Sequence, residues 1–147
     1  MIGPAAGSWF KLDFGEKLER EVPVSNDKLR EEQQQFIGEY TLWVRMTGWR
    51  LYLDKKCLCH CNDSNVSGGP MATGLQQIEG KKFLHFESGK SPAELRLDFS
   101  EGYRLVLSDW EGVKPEDDAY TLFGDGQAVT VQMNGEISLQ PSKRSRN

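Results

Sequence analysis

The chain has 147 residues, 37% of them hydrophobic and 10% aromatic, which suffices for one buried core and is too apolar for a chain disordered throughout. Its formal net charge is -4 and its pI about 5.3, so it lacks the basic footprint of a general nucleic-acid binder. No window approaches the roughly 18 apolar residues of a membrane span.

The N-terminal MIGPAAGSWFKLDF has no basic start leading into a long apolar run, so no signal peptide is expected. The three cysteines, Cys57, Cys59 and Cys61, are odd in number and crowded into five residues. A secreted disulfide framework spreads an even number along the chain, so reduced thiols and a cytoplasmic location are expected. No internal linker divides the chain. One domain over residues 1–147 is expected, with about 141–147 (PSKRSRN from Pro141) a frayed basic tail.

In chain order, Phe10, Leu12 and Phe14 alternate with polar neighbours and read as a strand, and Val22-Pro23-Val24 reads as an edge strand tolerant of proline. Ser25 or Asn26 can cap a polar surface helix over about Asp27 to Phe36. From Glu39, Tyr40, Leu42, Val44 and Met46 alternate with Thr41, Trp43 and Arg45. Thr47-Gly48 breaks the run before Trp49, Leu51 and Leu53, and the two strands read as a hairpin. Cys57 to Cys61 continue the alternation, with all three cysteines on one face and His60 on the other. Met71, Leu75 and Ile78 then fall at helical spacing, with Pro70 suited to the first turn, Gly80 to the stop and Gly74 unfavourable inside.

Phe83 to Phe86 reads as a strand. The best-defined stretch follows: Leu95, Leu97 and Phe99, then a loop Ser100-Glu101-Gly102, then Tyr103, Leu105 and Leu107. Period two on both sides of a short loop predicts a hairpin, with Gly102 supplying a left-handed conformation. Tyr120 to Phe123 and Ala128 to Met133 are further strands around a GDGQ turn. Asn134-Gly135 is the strongest two-residue hairpin signal, pairing the latter with Glu136 to Leu139. The whole predicts an α+β, β-rich domain: antiparallel sheets forming a curved sheet or sandwich, with one or two short helices.

Little in this pattern carries chemistry. Three thiols and His60 are a zinc set by residue type, but structural zinc sites separate paired ligands by about two residues, so no metal is expected. Lys55 and Lys56 could activate a thiol, yet no general base accompanies them, and no signature surrounds a Cys59–His85 dyad. The glycine-bearing turns lack the helix and lysine of a phosphate loop. No catalytic residue and no cofactor are expected.

The acidic segment is the best partner-binding candidate. Residues 101–125 carry seven acidic side chains against Arg104 and Lys114, a local balance of -5 that exceeds the net charge of the chain. Within it Asp109, Trp110, Glu111, Glu116, Asp117 and Asp118 combine charge with an aromatic anchor, which suits a basic protein partner.

The phrases LWVRMTGWRLYL, LQQIEGKKFL, AELRLDFSEGYRLVLS, YTLF and NGEISL, over roughly residues 37–140, resemble small bacterial proteins found among the immunity proteins of toxin systems. That resemblance implies a non-enzymatic protein that neutralises a cognate toxin by direct binding, and carries over no site residue. A small-molecule-binding or enzymatic domain with a pocket near the cysteine and histidine strands is the competing expectation. A homo-oligomer through the Trp43 face is a third.

Overall fold

The Leu95–Phe99 and Tyr103–Ser108 runs pair as expected, Leu95 opposite Leu107 and Leu97 opposite Leu105. Glu101 (φ 65) and Gly102 (φ 86) both take the left-handed conformation that closes the loop. The computed structural model containing this hairpin describes residues 2–3, 9–19, 36–109 and 112–142. The Val22-Pro23-Val24 strand and the helix expected from Asp27 lie outside these residues, except Phe36, which opens a strand.

In chain order the elements are β1 (Ile2–Gly3), β2 (Phe10–Glu19), β3 (Phe36–Val44), β4 (Gly48–Leu53), β5 (Lys56–His60), α1 (Pro70–Gln76), β6 (Phe83–Ser88), β7 (Leu95–Phe99), β8 (Tyr103–Ser108), β9 (Asp118–Gly124), β10 (Gln127–Gln132) and β11 (Ile137–Pro141). The strands form two antiparallel sheets. The larger is ordered β1-β2-β3-β9-β10-β11, with a two-residue outer strand, and the smaller β5-β4-β8-β7-β6.

The sheets pack face to face. Two rows of apolar residues line the inner face of the larger sheet in register: Phe10–Val44–Tyr120–Val131–Ile137 and Leu12–Leu42–Leu122–Val129–Leu139. Opposite them the smaller sheet presents Cys59–Leu51–Leu105–Leu97–Phe86 and Trp49–Leu107–Leu95. Phe10 meets Trp49 of β4 at 5.0 Å between ring centroids, and Phe14 meets Phe83 of β6, also at 5.0 Å. β4 and β6 are three strand spacings apart, about 14 Å, so β2 crosses the smaller sheet at a steep diagonal.

Two expectations are corrected. β3 and β4 do not form a hairpin: they lie in different sheets, with β3 beside β9 and β4 beside β8. The Thr47-Gly48 break is a corner at which the chain passes from one sheet to the other. Thr47 is fully buried there and donates its hydroxyl to the Ser108 carbonyl at 3.0 Å, so the polar group is satisfied inside the bend. The Asn134-Gly135 connection is a three-residue loop including Met133, with Gly135 at φ 88 and the Gln132 N–H donating to the Glu136 carbonyl.

α1 covers the β5 end of the core with Met71 and Leu75, followed by Ile78. Gly74, unfavourable by helix propensity, has a packing reason. A Cβ there would lie 2.5 Å from the Cys59 sulfur and 2.7 Å from its Cβ, so only glycine lets the helix sit this close to β5. Gly80 follows at φ 80, ending the segment as expected.

Candidate functional site

The cysteines separate. Leu51 opposes Cys59 and Tyr52 opposes Cys57, which leaves Leu58 as an extra residue in β5. This bulge turns Cys57 to the outer face while Cys59 stays in the core, correcting the expectation of one shared face. Cys57 is exposed, Cys59 buried and Cys61 half-buried against the core. Burial pushes the Cys59 thiol up to about 12, so it is protonated and unreactive at neutral pH. His60 is bound into its own turn: its N–H donates to Asp63 Oδ2 at 2.8 Å and its Nδ1 accepts the Asn62 N–H. Among the described residues no group of three or more His, Cys, Asp or Glu side chains could hold a metal ion.

The acidic candidates are placed unequally. Trp110 and Glu111 lie outside the described residues. Asp109 and Glu116 are exposed. Asp117 accepts the Lys114 N–H at 2.8 Å and closes a turn, while its carbonyl accepts the Met133 N–H. Asp118 opens β9 and pairs with Arg45 at 3.1 Å. The segment is tied to the β10–β11 loop, where Asn134 N–H donates to the Pro115 carbonyl. Two of its carboxylates therefore hold structure, and Asp109 and Glu116 present charge to solvent.

Tryptophans divide similarly. Trp49 is at the centre of the core, whereas Trp43 stands on the outer face of the larger sheet, half-buried. Arg45 lies over its ring at 4.2 Å and Lys11 at 5.0 Å, with Trp9 edge-on at 5.9 Å.

An apolar concave feature lies elsewhere among the described residues, at the β6 side of the sandwich. There residues of the two inner faces line a cleft of about 260 Å³: Phe14, Tyr40, Leu42, Phe83, Phe86, Leu95, Leu97, Tyr120 and Leu122. No cysteine or histidine lines it. Its polar atoms are already engaged. Tyr120 donates its hydroxyl to the Pro92 carbonyl at 2.7 Å, and Tyr40 reaches Asp125 Oδ2 at 3.4 Å. The negative charge of Asp125 and Glu39 raises the Tyr40 pKa, and burial raises that of Tyr120, so both phenols that line the cleft stay neutral. Phe86, at the mouth, is 62% exposed although it shares the inner face with Leu97.

β6 is held in place from behind. The buried Asp98 carboxylate of β7 takes Arg104 Nε at 2.6 Å from β8 and His85 Nε2 at 3.0 Å from β6. Arg96 of β7 pairs with Glu87 of β6. A charge this buried needs such partners, and here they lock three strands together behind the cleft.

Sequence reasoning identified the apolar faces that meet in the cleft but not the cleft itself. The available signal was Phe86, apolar in a strand followed by ESGKSP, with charged residues around it. No protein-family model, no curated protein and no solved structure matches the chain. No helix among the described residues is long and apolar enough to cross a membrane.

Proposed function

We propose that the chain is a non-enzymatic binding protein that holds an apolar segment of a protein partner in the cleft between its sheets, and that it acts by neutralising a cognate toxin. The observation that supports this most is Phe86, a large aromatic left exposed at the mouth of a cleft with apolar walls, the usual composition of an interface anchor and its pocket. Asp109, Glu116 and Glu136 are exposed acidic groups, the last two at the β10–β11 loop, and would steer a partner whose apolar segment is flanked by basic residues. Toxin neutralisation, the specific form, rests on the resemblance of the strand phrases to immunity proteins.

The test is capture from a lysate of the source cells with wild type and Phe86→Asp, washed at low and high salt. The reading expects one basic protein, retained by wild type through a high-salt wash and lost from the variant. Expressing that protein alone should arrest growth, and co-expressing the wild-type chain should restore it. The second reading, a small-molecule-binding domain, draws on the same 260 Å³ cleft. It expects no captured protein, and an apolar fluorescent dye bound by wild type but not by Phe86→Asp.

A further inference from the structure

Strands at sheet edges expose unpaired backbone groups, and proteins guard them with charge, bulges, brevity or proline. β5 opens with Lys56 directly after Lys55 and carries the Leu58 bulge. β6 has a register break between Phe83 and His85, and carries His85 and Glu87. β1 is two residues long. β11 has no charged residue and no register break, and all five of its residues are exposed. Ile137 and Leu139, each 60% exposed, extend the inner apolar rows of the larger sheet beyond the cover of the smaller one.

The ladder fixes which backbone groups of β11 are free. Gln132 N–H donates to the Glu136 carbonyl and Ser142 N–H to the Gly126 carbonyl. With Thr130 opposite Ser138 and Ala128 opposite Gln140, alternation directs the backbone of the even-numbered residues toward β10. The N–H and C=O groups of Ile137 and Leu139 therefore point outward. Pro141 points outward too but has no N–H.

The geometry points to this edge as a self-association surface: two copies pair β11 to β11, antiparallel, about a two-fold axis at Ser138. In that register Ile137 of one copy faces Leu139 of the other, and the two such pairs exchange four backbone hydrogen bonds. The apolar side chains of both copies then meet on the inner face. Shifting the axis to Leu139 would aim the Pro141 ring at the partner's backbone, and shifting it to Ile137 would draw in Gly135, whose N–H is already given to Gln132. Charge favours a second copy as the occupant. Glu136, with Glu116, Asp117 and Asp118 tied beside it through the β10–β11 loop, lies at the N-terminal end of β11, and the sequence runs from Ser142 directly into Lys143, Arg144 and Arg146. Antiparallel pairing sets the acidic end of one strand against the end from which the other copy's basic run departs, in both directions at once. Glu136 faces Gln140, so no like charges oppose. The cleft is lined by other strands, so this surface stands or falls independently of the partner-binding reading.

The test is sedimentation of the full chain over a concentration series. The weight-average mass should rise from 16.7 kDa toward twice that value, less steeply at high salt. Leu139→Pro removes one outward donor and leaves the β10 ladder whole, so it should stay at the monomer mass with an unchanged melting temperature. If that variant unfolds, Ile137→Lys, exposed in the monomer, should give the same monomeric result. The axis is read by cross-linking in a Cys57→Ser background. Ser138 opposes itself as a non-hydrogen-bonded pair, about 4.5 Å between Cα atoms and within disulfide reach, so Ser138→Cys should form a covalent dimer and Gln140→Cys should not. A wild-type mass of one chain at every concentration, or dimerisation unchanged in a folded Leu139→Pro or Ile137→Lys, overturns the proposal.

Discussion

The row Cys59–Leu51–Leu105–Leu97–Phe86 crosses the smaller sheet from one edge to the other, and its two ends behave differently. At the Cys59 end the side chain is 1% exposed, sealed by α1, while at the Phe86 end it is 62% exposed. The larger sheet repeats the gradient, from Leu12 at 3% to Leu139 at 60%. Chemistry does not distinguish the ends, since all of these residues are apolar. The difference lies in what covers them. At the Thr47 corner the chain passes directly between sheets, and α1 caps the β5 edge. On the β6 side neither device closes the gap. The same kind of residue is core at one end and solvent-exposed surface at the other.

Substitutions should sort along this gradient. The largest effect is expected at the closed end: Trp49→Ala, buried against Phe10, should cost about 4 kcal/mol in chemical denaturation. Gly74→Ala follows. Its new methyl meets the Cys59 sulfur, and overpacking of this kind should cost about 2 kcal/mol, with part recovered when Cys59→Ala removes that sulfur.

The cysteines test the same contrast chemically. Cys57 should react with a thiol reagent in the native protein at pH 8, and Cys59 only on unfolding. The sign of the linked pH effect follows from the raised pKa. Cys59 contributes stability that is fully present below the ordinary thiol value, and that stability declines as the pH climbs from there toward about 12. Denaturation midpoints measured across that alkaline window should fall, and more steeply with Cys59 present than in Cys59→Ala. The smallest effect on stability belongs to the open end, where Phe86→Asp should stay within about 0.5 kcal/mol of wild type.

Much of this arrangement was legible in the sequence. Leu95–Phe99 with Tyr103–Ser108 could be read because alternation on both sides of Gly102 leaves few other pairings. The Met71, Leu75, Ile78 spacing and the Pro70 and Gly80 signals located α1. Thr47-Gly48 was misread because a turn within a sheet and a corner between sheets have the same local composition; only the burial of Thr47 separates them. Cys57 was assigned to the wrong face because one extra residue at Leu58 inverts every side chain before it, and apolar alternation cannot register a bulge. The acidic run read as uniform charge, yet Asp117 is committed to a local turn with Lys114 and Asp118 to Arg45, which adjoins it only after folding. The cleft was invisible for a related reason. Its walls are ordinary strand faces, and which part stays uncovered depends on how the two sheets stack.

The most direct measurement is the affinity of a captured partner for wild type and Phe86→Asp, with melting curves of both chains recorded alongside. The account predicts superimposable melting curves and a loss of at least about tenfold in affinity, the size expected when an anchor in an apolar pocket is replaced by a charge. Equal affinity in two equally stable chains would contradict it, and would move the binding surface away from the cleft.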